Sequence, residues 1–368
     1  MKYALIACAA AAAALALTGS AIPARSGATG ATAATYTMYL GEFAPPPASL
    51  RKIPGTINQF LPSRLVIAAG DSVTFSSASF HTVTYSPKPF PLILPDPAKG
   101  KYEGFSDAAE TPFYFNGMGK FIYNPQAFGP FGPKTISGKT PVSSGGLSPL
   151  GPGPKAPPGT ATYAFPTPGT YQLFCTLHPG MKGTVVVKPT GSAVPKTPDQ
   201  VKAQALQAQT AAYPKAIALN NTKVGAPDTV AMGVGGGVAM IAYYPKVLKV
   251  KAGTTVTFVN KSSSEVHNVT FGPKKYIQQF QKKTDLFPTG PKSPNQVTPV
   301  LPFATDPAPY VYDGTTTHGN GFFVTPLTSG APVGLPHASR VKFTTPGTYK
   351  YFCWIHGPDM GGTIVVTP

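Results

Sequence analysis

Three side chains that bind soft metals stand close together near the middle of the chain. They are Cys175, His178 and Met181, within the stretch Tyr171 to Val187. Thiolate and thioether sulfur select copper over harder cations, and imidazole suits copper as well. The spacing therefore predicts a copper site that takes most of its ligands from one loop between two strands.

A second copy of this motif lies at the end of the chain, in Tyr349 to Val366. It contains Cys353, His356 and Met360. Three residues separate the histidine from the methionine, where the first copy has two. Because of this extra residue, it is less certain that Met360 binds the metal than that Met181 does.

Each motif has one further histidine upstream in a matching context. His81 stands between Phe80 and Thr82, and His267 stands between Val266 and Asn268. Two histidines and one cysteine in a plane, with a distant axial methionine, form the blue-copper arrangement. The sequence thus predicts two complete ligand sets: His81, Cys175, His178 and Met181 in the first, and His267, Cys353, His356 and Met360 in the second. Asn268, and less fully Thr82, is expected to hydrogen-bond across to the cysteine loop; otherwise both are ordinary strand residues.

The segments that must position these ligands are also duplicated. The pattern from Leu65 to Phe75 returns from Leu248 to Phe258, with a glycine turn at the same place in both copies. Period-two alternation puts Tyr171, Leu173 and Cys175 on one face of a strand, so the cysteine ends a core-facing row. A tandem repeat of short strands with turn signals predicts two β-sandwiches or barrels.

Composition and local signals divide the chain into five parts. Charged residues make up only 12 %, while 44 prolines and 39 glycines favour strands and long loops. The predicted parts are a signal peptide over 1–21, a flexible tether over 22–34, a first β-domain over 35–189, a helical spacer over 190–222 and a second β-domain over 223–368. Pro/Gly-rich insertions, about 87–158 and 272–335, interrupt the domains. We expect the aromatic islands of the first, such as 113–115 and 128–131, to hold it onto the surface. Thr197 and Pro198 suit the start of the helix. It is either a spacer or a docking helix, and its weak apolar face favours the spacer.

The N-terminus predicts export to the periplasm or to the cell envelope and exterior. Lys2 precedes an apolar run, Ala4 to Leu17, and small residues follow at a plausible cleavage site. The run is shorter than the roughly 20 residues that a membrane span needs. Cleavage removes Cys8 and leaves one cysteine in each motif, so metal ligation explains the two cysteines better than a disulfide does.

The charge of the chain limits its partners. The formal net charge is +17, with the lysines dispersed rather than clustered. Without a basic stripe interleaved with aromatic residues, a nucleic-acid role is not supported. Two readings of the basic surface remain: association with anionic polymers of the cell envelope, which we favour slightly, or steering toward an acidic redox partner.

These motifs resemble those of the cupredoxin family of type 1 blue-copper proteins. The loop from Cys175 to Met181 is similar to the copper loop of amicyanin, and the segment around His267 is similar to the first-ligand segment of plastocyanins. The resemblance implies an all-β chain of two tandem cupredoxin-like Greek-key β-sandwiches, with long insertions and a short helical spacer. It also implies one type 1 copper per domain, cycling between Cu(I) and Cu(II), and one-electron transfer to redox protein partners.

The sequence is also compatible with two functions other than electron transfer. The first is copper storage or delivery. The second is a copper oxidase or reductase subunit that uses His318 and His337, the two of the six histidines outside the ligand sets. A trinuclear copper cluster is excluded because too few histidines remain. Since no substrate chemistry is indicated, the sequence predicts a protein that is not an enzyme.

Overall fold

The computed structural model describes residues 32–88, 93–95, 121–124, 127, 129–149, 158–283, 308–315 and 319–368. The predicted signal peptide, most of the tether and much of both insertions lie outside the described residues, as do Cys8, the 113–115 aromatic segment and His318. Within the described part of the chain, no helix has the length and apolar composition required to cross a membrane.

The N-terminal half forms a two-sheet sandwich. Its strands are β1 (Thr35–Leu40), β2 (Gly55–Ile57), β3 (Phe60–Leu61), β4 (Arg64–Ala68), β5 (Ser72–Ser77), β6 (Thr84–Tyr85), β7 (Ile93–Pro95), β8 (Phe121–Tyr123), β9 (Pro130–Phe131), β10 (Val142–Ser144), β11 (Gly159–Ala164), β12 (Gly169–Phe174) and β13 (Lys182–Lys188), with a 3-10 turn at Ala48–Leu50. One sheet has the order β11-β5-β1-β3 and the other the order β4-β13-β12-β6-β10-β9, while β7 and β8 pair separately. Side chains of both sheets, such as Phe75 and Leu173, meet in one core.

The C-terminal half repeats this arrangement. Its strands are β14 (Thr229–Gly235), β15 (Val238–Tyr244), β16 (Val247–Lys251), β17 (Thr255–Ser262), β18 (Val266–His267), β19 (Thr270–Phe271), β20 (Tyr310–Tyr312), β21 (Phe323–Val324), β22 (Thr328–Ser329), β23 (Ala338–Phe343), β24 (Gly347–Cys353) and β25 (Gly357–Thr367). The sheets have the orders β2-β15-β14-β17-β23-β20 and β16-β25-β24-β19-β21, and β18 pairs with β22. The predicted all-β fold of two tandem sandwiches is confirmed.

The duplicated strands occupy equivalent places in the two halves. β1 runs parallel to β5 as β14 runs parallel to β17, and β13 runs parallel to β4 as β25 runs parallel to β16. Between the first and second strand of each repeated pattern, Gly70 and Gly253 take positive φ values of 98° and 89°. At that turn the chain passes from one sheet of the sandwich to the other.

A strand from the first half completes a sheet of the second. β2 lies within the predicted first domain, yet it pairs antiparallel with β15, with Ile57 opposite Val238. Its three residues therefore belong in space to the second sandwich. The bounds at 189 and 223 stay predictions, but the two sandwiches are joined by backbone hydrogen bonds as well as by the chain that connects them.

The predicted helix forms and does more than separate the domains. α1 (Pro198–Asn220) begins at a capping box, in which Thr197 and Gln200 satisfy each other's backbone N–H groups. Its residues Ala205 and Ala212 pack into a cluster with Leu61 of the first half and Met240 of the second, while Val201 belongs to the core of the first half. The helix therefore docks on both halves in addition to lying between them in the chain. Its buried stripe is small and partly polar (Val201, Ala205, Gln209 and Ala212), so the apolar pattern is weak.

The described parts of the insertions lie on the sandwiches. In the first, Ile136, Val142 and Leu147 are buried in the domain core. The second insertion provides a short helix, α2 (Lys274–Lys283), and strands β20, β21 and β22. Phe323 enters the second core, and Phe322 packs beside Trp354. Of the aromatic islands expected to hold the first insertion, 113–115 and Phe128 lie outside the described residues, so that expectation stays a prediction.

Candidate metal centres

Three predicted ligands of the first set converge at one end of the first sandwich. His81 Nδ1 lies 3.0 Å from His178 Nδ1, and Cys175 Sγ lies 3.9 Å and 3.4 Å from these two nitrogens. Cys175 and His81 are buried, while the His178 side chain keeps 14 % of its surface exposed. The three donor atoms therefore form a compact triangle that is largely shielded from solvent.

The second set has nearly the same geometry. His267 Nδ1 lies 3.2 Å from His356 Nδ1, and Cys353 Sγ lies 3.8 Å and 3.4 Å from them. His267 and Cys353 are fully buried, and the His356 side chain is 18 % exposed. Two histidine-cysteine-histidine groups able to hold a metal ion are found within the described residues, and they are these two.

Both triangles match a trigonal metal site in size. Metal bonds of about 2.0 Å to nitrogen and about 2.3 Å to sulfur separate the ligand atoms of a planar three-coordinate site by roughly 3.5 to 4 Å. The observed separations of 3.0 to 3.9 Å lie at or a little below this range. Two imidazole nitrogens and one thiolate form the donor set that copper prefers in such a plane. The residues present therefore fit copper.

Each cysteine is positioned by its strand. Tyr171, Leu173 and Cys175 are all buried, as the period-two pattern predicted, and Cys175 directly follows the last residue of β12. Cys353 ends β24 in the same way. Trp354, the next residue, is buried on the other side against Phe322 and Ile277, in agreement with a packing role. Each thiol therefore lies at the rim of its sandwich core.

Residues of the two insertions hydrogen-bond to the backbone of the upstream histidines, His81 and His267. His81 and Leu147 exchange backbone hydrogen bonds of 3.1 and 2.7 Å. In the second half His267 pairs with Thr328 of β22, whose hydroxyl donates to the His267 carbonyl at 2.8 Å. Since Leu147 and Thr328 both belong to insertions, these segments are part of the support of the sites.

The methionines occupy equivalent positions despite the extra residue in the second loop. Phe174 pairs with Lys182, the residue after Met181, and Phe352 pairs with Gly361, the residue after Met360. The ladder of the second domain shifts register between Phe352 and Cys353, which accommodates the extra residue before the methionine. Met181 and Met360 are both buried in the same core cluster as their cysteine.

The residues after the upstream histidines bond to the cysteine loops. Asn268 Oδ1 accepts a hydrogen bond of 2.9 Å from the Trp354 backbone N–H, which confirms the expected cross-link. Thr82 Oγ1 accepts a bond of 2.8 Å from the Thr176 N–H. The Thr82 backbone N–H also donates to Cys175 Sγ at 3.3 Å. Contrary to the expectation that it would bond less fully than Asn268, Thr82 reaches the cysteine and its loop through both its backbone N–H and its hydroxyl.

Two glycines that sequence reasoning missed lie against the upstream histidines. Gly41 has φ +74°, and a Cβ added there would come within 2.8 Å of His81 Nε2. Gly233 has φ +63°, and its added Cβ would overlap His267 Nε2. In both places the backbone approaches the imidazole more closely than any side chain permits. Their shared position relative to the duplicated strands is the signal that could have identified them.

A single carboxylate lies between the two sites. Glu265 is buried; its Oε1 lies 3.5 Å from His178 Nε2 and its Oε2 lies 3.3 Å from His356 Nε2. Asn58 Nδ2 donates to Oε1 at 2.6 Å. Sequence reasoning missed this residue as well. Its nearness to the predicted ligand His267, in a chain with only 13 acidic residues, was the available signal.

The electrostatics of the metal-free sites favour the thiolate form. Burial raises the pKa of the Cys175 and Cys353 thiols, but the neighbouring histidines outweigh it and bring each pKa well below its usual value. Burial lowers the pKa of His356, but Cys353 and Glu265 raise it to about 10. Burial raises the pKa of Glu265, and His178, His356 and His267 together lower it below its usual range. Deprotonated sulfur is the form that binds a metal.

Two further predictions concern a disulfide between Cys175 and Cys353 and an additional site at His318 and His337. Cys175 and Cys353 are both free, so the disulfide alternative is wrong for these two. His337 is exposed, and its backbone carbonyl accepts a hydrogen bond from Asn260 N. His318 lies outside the described residues, so a site that combines it with His337 stays untested.

Comparisons with known proteins find similarity to copper proteins. Residues 229–367 match the model of the copper binding proteins of the plastocyanin/azurin family. Similar solved structures include a reduced mutant of amicyanin, 22 % identical, with coverage of 39 % of this chain and 85 % of that chain and a TM-score of 0.22. Another is oxidised plastocyanin from Dryopteris crassirhizoma, 21 % identical, with coverage of 38 % and 99 % and a TM-score of 0.20. Among curated protein sequences, none matches significantly.

Proposed function

We propose that this chain, which has a cupredoxin-like fold, is an exported blue-copper protein that binds one type 1 copper in each domain and transfers single electrons between redox partners of the cell envelope. The observation that carries the proposal is the presence of two buried triangles of one cysteine and two histidines. Each of them matches a trigonal copper site in size and donor chemistry.

The protein residues hold and shield the metal in this proposal. His81, Cys175 and His178 would hold copper at the first site, and His267, Cys353 and His356 would hold it at the second. Bound copper supplies one-electron oxidation and reduction. Because strands and insertions fix the donors in place, little movement is needed when the charge of the site changes.

Met181 and Met360 would each supply a further, weaker ligand to the copper of their site. The strand register supports an equal role for both, since each methionine immediately precedes the residue paired with the phenylalanine before its cysteine. Each methionine is also buried in the same core cluster as its cysteine. A weak thioether ligand stabilises the softer Cu(I) ion and raises the reduction potential.

Burial favours a carrier over a storage or delivery protein. Delivery requires an acceptor to reach the ligands, yet Cys175, Cys353, His81 and His267 are each at most 4 % exposed. Electron transfer requires only that an edge of the site approach the partner. We further propose that the apolar N-terminus directs export, and that the net charge of +17 favours acidic partners or an anionic envelope surface.

A copper titration of the mature protein tests the proposal. We expect wild type to bind two equivalents with an intense visible thiolate-to-copper band and a small hyperfine splitting in paramagnetic resonance. Cys175→Ser and Cys353→Ser should each remove one equivalent of the blue signal and leave the other. A colourless complex, or a blue signal that survives both substitutions together, would refute the assignment.

A further inference from the structure

The two candidate sites approach each other through one histidine of each site, His178 and His356. In both sites Nδ1 faces the cysteine sulfur, so Nε2 points out of the metal triangle. For His178 and His356 these outward nitrogens meet the two oxygens of one carboxylate, Glu265. One buried side chain therefore stands between two metal ligands that belong to different domains.

The surrounding structure holds Glu265 in this place. Its backbone N–H donates to Ser262 Oγ at 3.1 Å, and its carbonyl accepts from Asn260 Nδ2 at 3.1 Å. Asn58 reaches across from the first domain and donates to the carboxylate at 2.6 Å. Asn58 directly follows β2, the strand that completes the sheet of the second domain. The interface between the domains thus fixes the carboxylate from both sides.

We infer that Glu265 is a positioning residue shared by both candidate copper sites, and that it forms the connection through which they exchange electrons within one chain. The inference rests on the proposed function. Through its contacts of 3.5 and 3.3 Å with the two Nε2 atoms, the carboxylate orients each imidazole with its Nδ1 lone pair toward the metal. The same two contacts make the path from one site to the other.

The exchange step leaves all bonds in place. One electron leaves the reduced site through its histidine, and the oxidised site accepts it through the other histidine. One copper is thereby oxidised from Cu(I) to Cu(II) while the other is reduced from Cu(II) to Cu(I). The Nε2–H protons stay on their nitrogens, so no proton donor or further oxidant is required.

Glu265→Gln tests the connection while keeping the size of the side chain. An amide presents one oxygen and one NH₂ group, so it can accept from one histidine but meets the other with a donor. The matched control is Glu42→Gln, because Glu42 lines a cleft beside α1 whose lining includes none of the predicted ligands. Glu265→Asp keeps two acceptor oxygens on a shorter side chain. If the glutamine variant does not fold, the same measurements are made on Glu265→Asp instead.

Two measurements on the copper-loaded protein report on the two parts of the inference. In the diamagnetic Cu(I) form, nitrogen-15 NMR should show slowly exchanging Nε2–H groups on His178 and His356, and at least one should be lost in Glu265→Gln. After partial reduction by a rapid pulse, electron redistribution between the sites should be independent of protein concentration. Spectra of the Cys175→Ser and Cys353→Ser proteins provide the reference signals for each site.

We expect redistribution to slow at least tenfold in Glu265→Gln and less in Glu265→Asp, with Glu42→Gln unchanged. Retention of both Nε2–H signals in Glu265→Gln would overturn the positioning role. An unchanged redistribution rate would overturn the electron connection. Failure of the proposed function is distinguishable from both outcomes, because it appears in wild type as the absence of two blue copper ions.

Discussion

At the scale of residues, the sites depend on close approaches that keep the imidazoles in place. The upstream histidines offer Nδ1 to the metal triangle, and their rings are backed by backbone at Gly41 and Gly233. Next to them, Thr82 and Asn268 accept hydrogen bonds from the cysteine loops. These contacts limit ring rotation, which matters because a metal site tolerates errors of only about 0.5 Å in its donors.

Gly41→Ala should displace His81. The new methyl group would lie 2.8 Å from Nε2 of the ring, in addition to the strain of a positive φ. We expect overpacking to lower the unfolding free energy by about 1 to 3 kcal/mol, in addition to the cost of the strained backbone. We also expect the visible absorption band of the first site to shift. Denaturant unfolding and the optical spectrum measure the two effects.

Gly70→Ala is the control, because Gly70 has φ +98° and no atom within 4 Å of an added Cβ. It should show only the strain of the left-handed backbone, about 1 to 2 kcal/mol, with an unaltered spectrum. Equal effects of the two substitutions on both measurements would show that the contact with His81 is unimportant.

Asn268→Leu should affect the second site and spare the first. The buried Trp354 N–H would lose its 2.9 Å acceptor, at a cost of about 1 to 3 kcal/mol. Loss of the Asn268 contact with Cys353 Sγ should also change the reduction potential of that site. Spectroelectrochemistry on the two-copper protein checks this, with the first site as an internal reference; equal shifts at both sites would contradict the local role.

At the scale of elements, helix α1 is stabilised by polar contacts that an apolar pattern does not reveal. Gln209 is fully buried, accepts from the N–H groups of Phe43 and Ala44, and donates to the Ala44 carbonyl and the Tyr213 hydroxyl. The segment after β1 is thereby attached to the helix. Because Gly41 belongs to this segment, the helix also supports the ring of His81 from a distance.

Gln209→Leu should therefore destabilise the protein although it adds an apolar side chain to a buried place. Two backbone N–H groups and one carbonyl would lose their partners, each worth about 1 to 3 kcal/mol if left unsatisfied. The control is Gln207→Leu, at an exposed position of the same helix, which should change stability by less than about 0.5 kcal/mol. Comparable denaturation midpoints for the two variants would disprove the attachment.

At the scale of the whole molecule, the two domains form one unit. β2 completes the sheet of the second domain, α1 packs against both halves in a shared apolar cluster, and Glu265 lies between the metal sites. Residues near position 58 thus contact residues more than 170 positions away. Such an interface favours joint unfolding over independent unfolding.

Copper bound at a single site should stabilise both domains together. In Cys353→Ser the first site alone remains complete, and ligand at a thousandfold excess over its dissociation constant adds about 4.1 kcal/mol to the folded state. We expect calorimetry to show one transition that moves to higher temperature with copper and returns when a chelator removes the metal. Two transitions, of which only one moves, would show that the domains unfold separately.

The sequence by itself determined the local part of this protein. The ligand types and spacings, the duplicated strands and the capping box at Thr197 involve residues near one another in the chain, or patterns that alternation exposes. Only the tertiary structure decided what depends on distant partners: the close approach of Gly41 to His81, the pairing of β2 with β15, the docking of α1 and the place of Glu265. The physical reason is that contacts between residues far apart in sequence leave no periodic trace, since they depend on how the finished sandwiches meet.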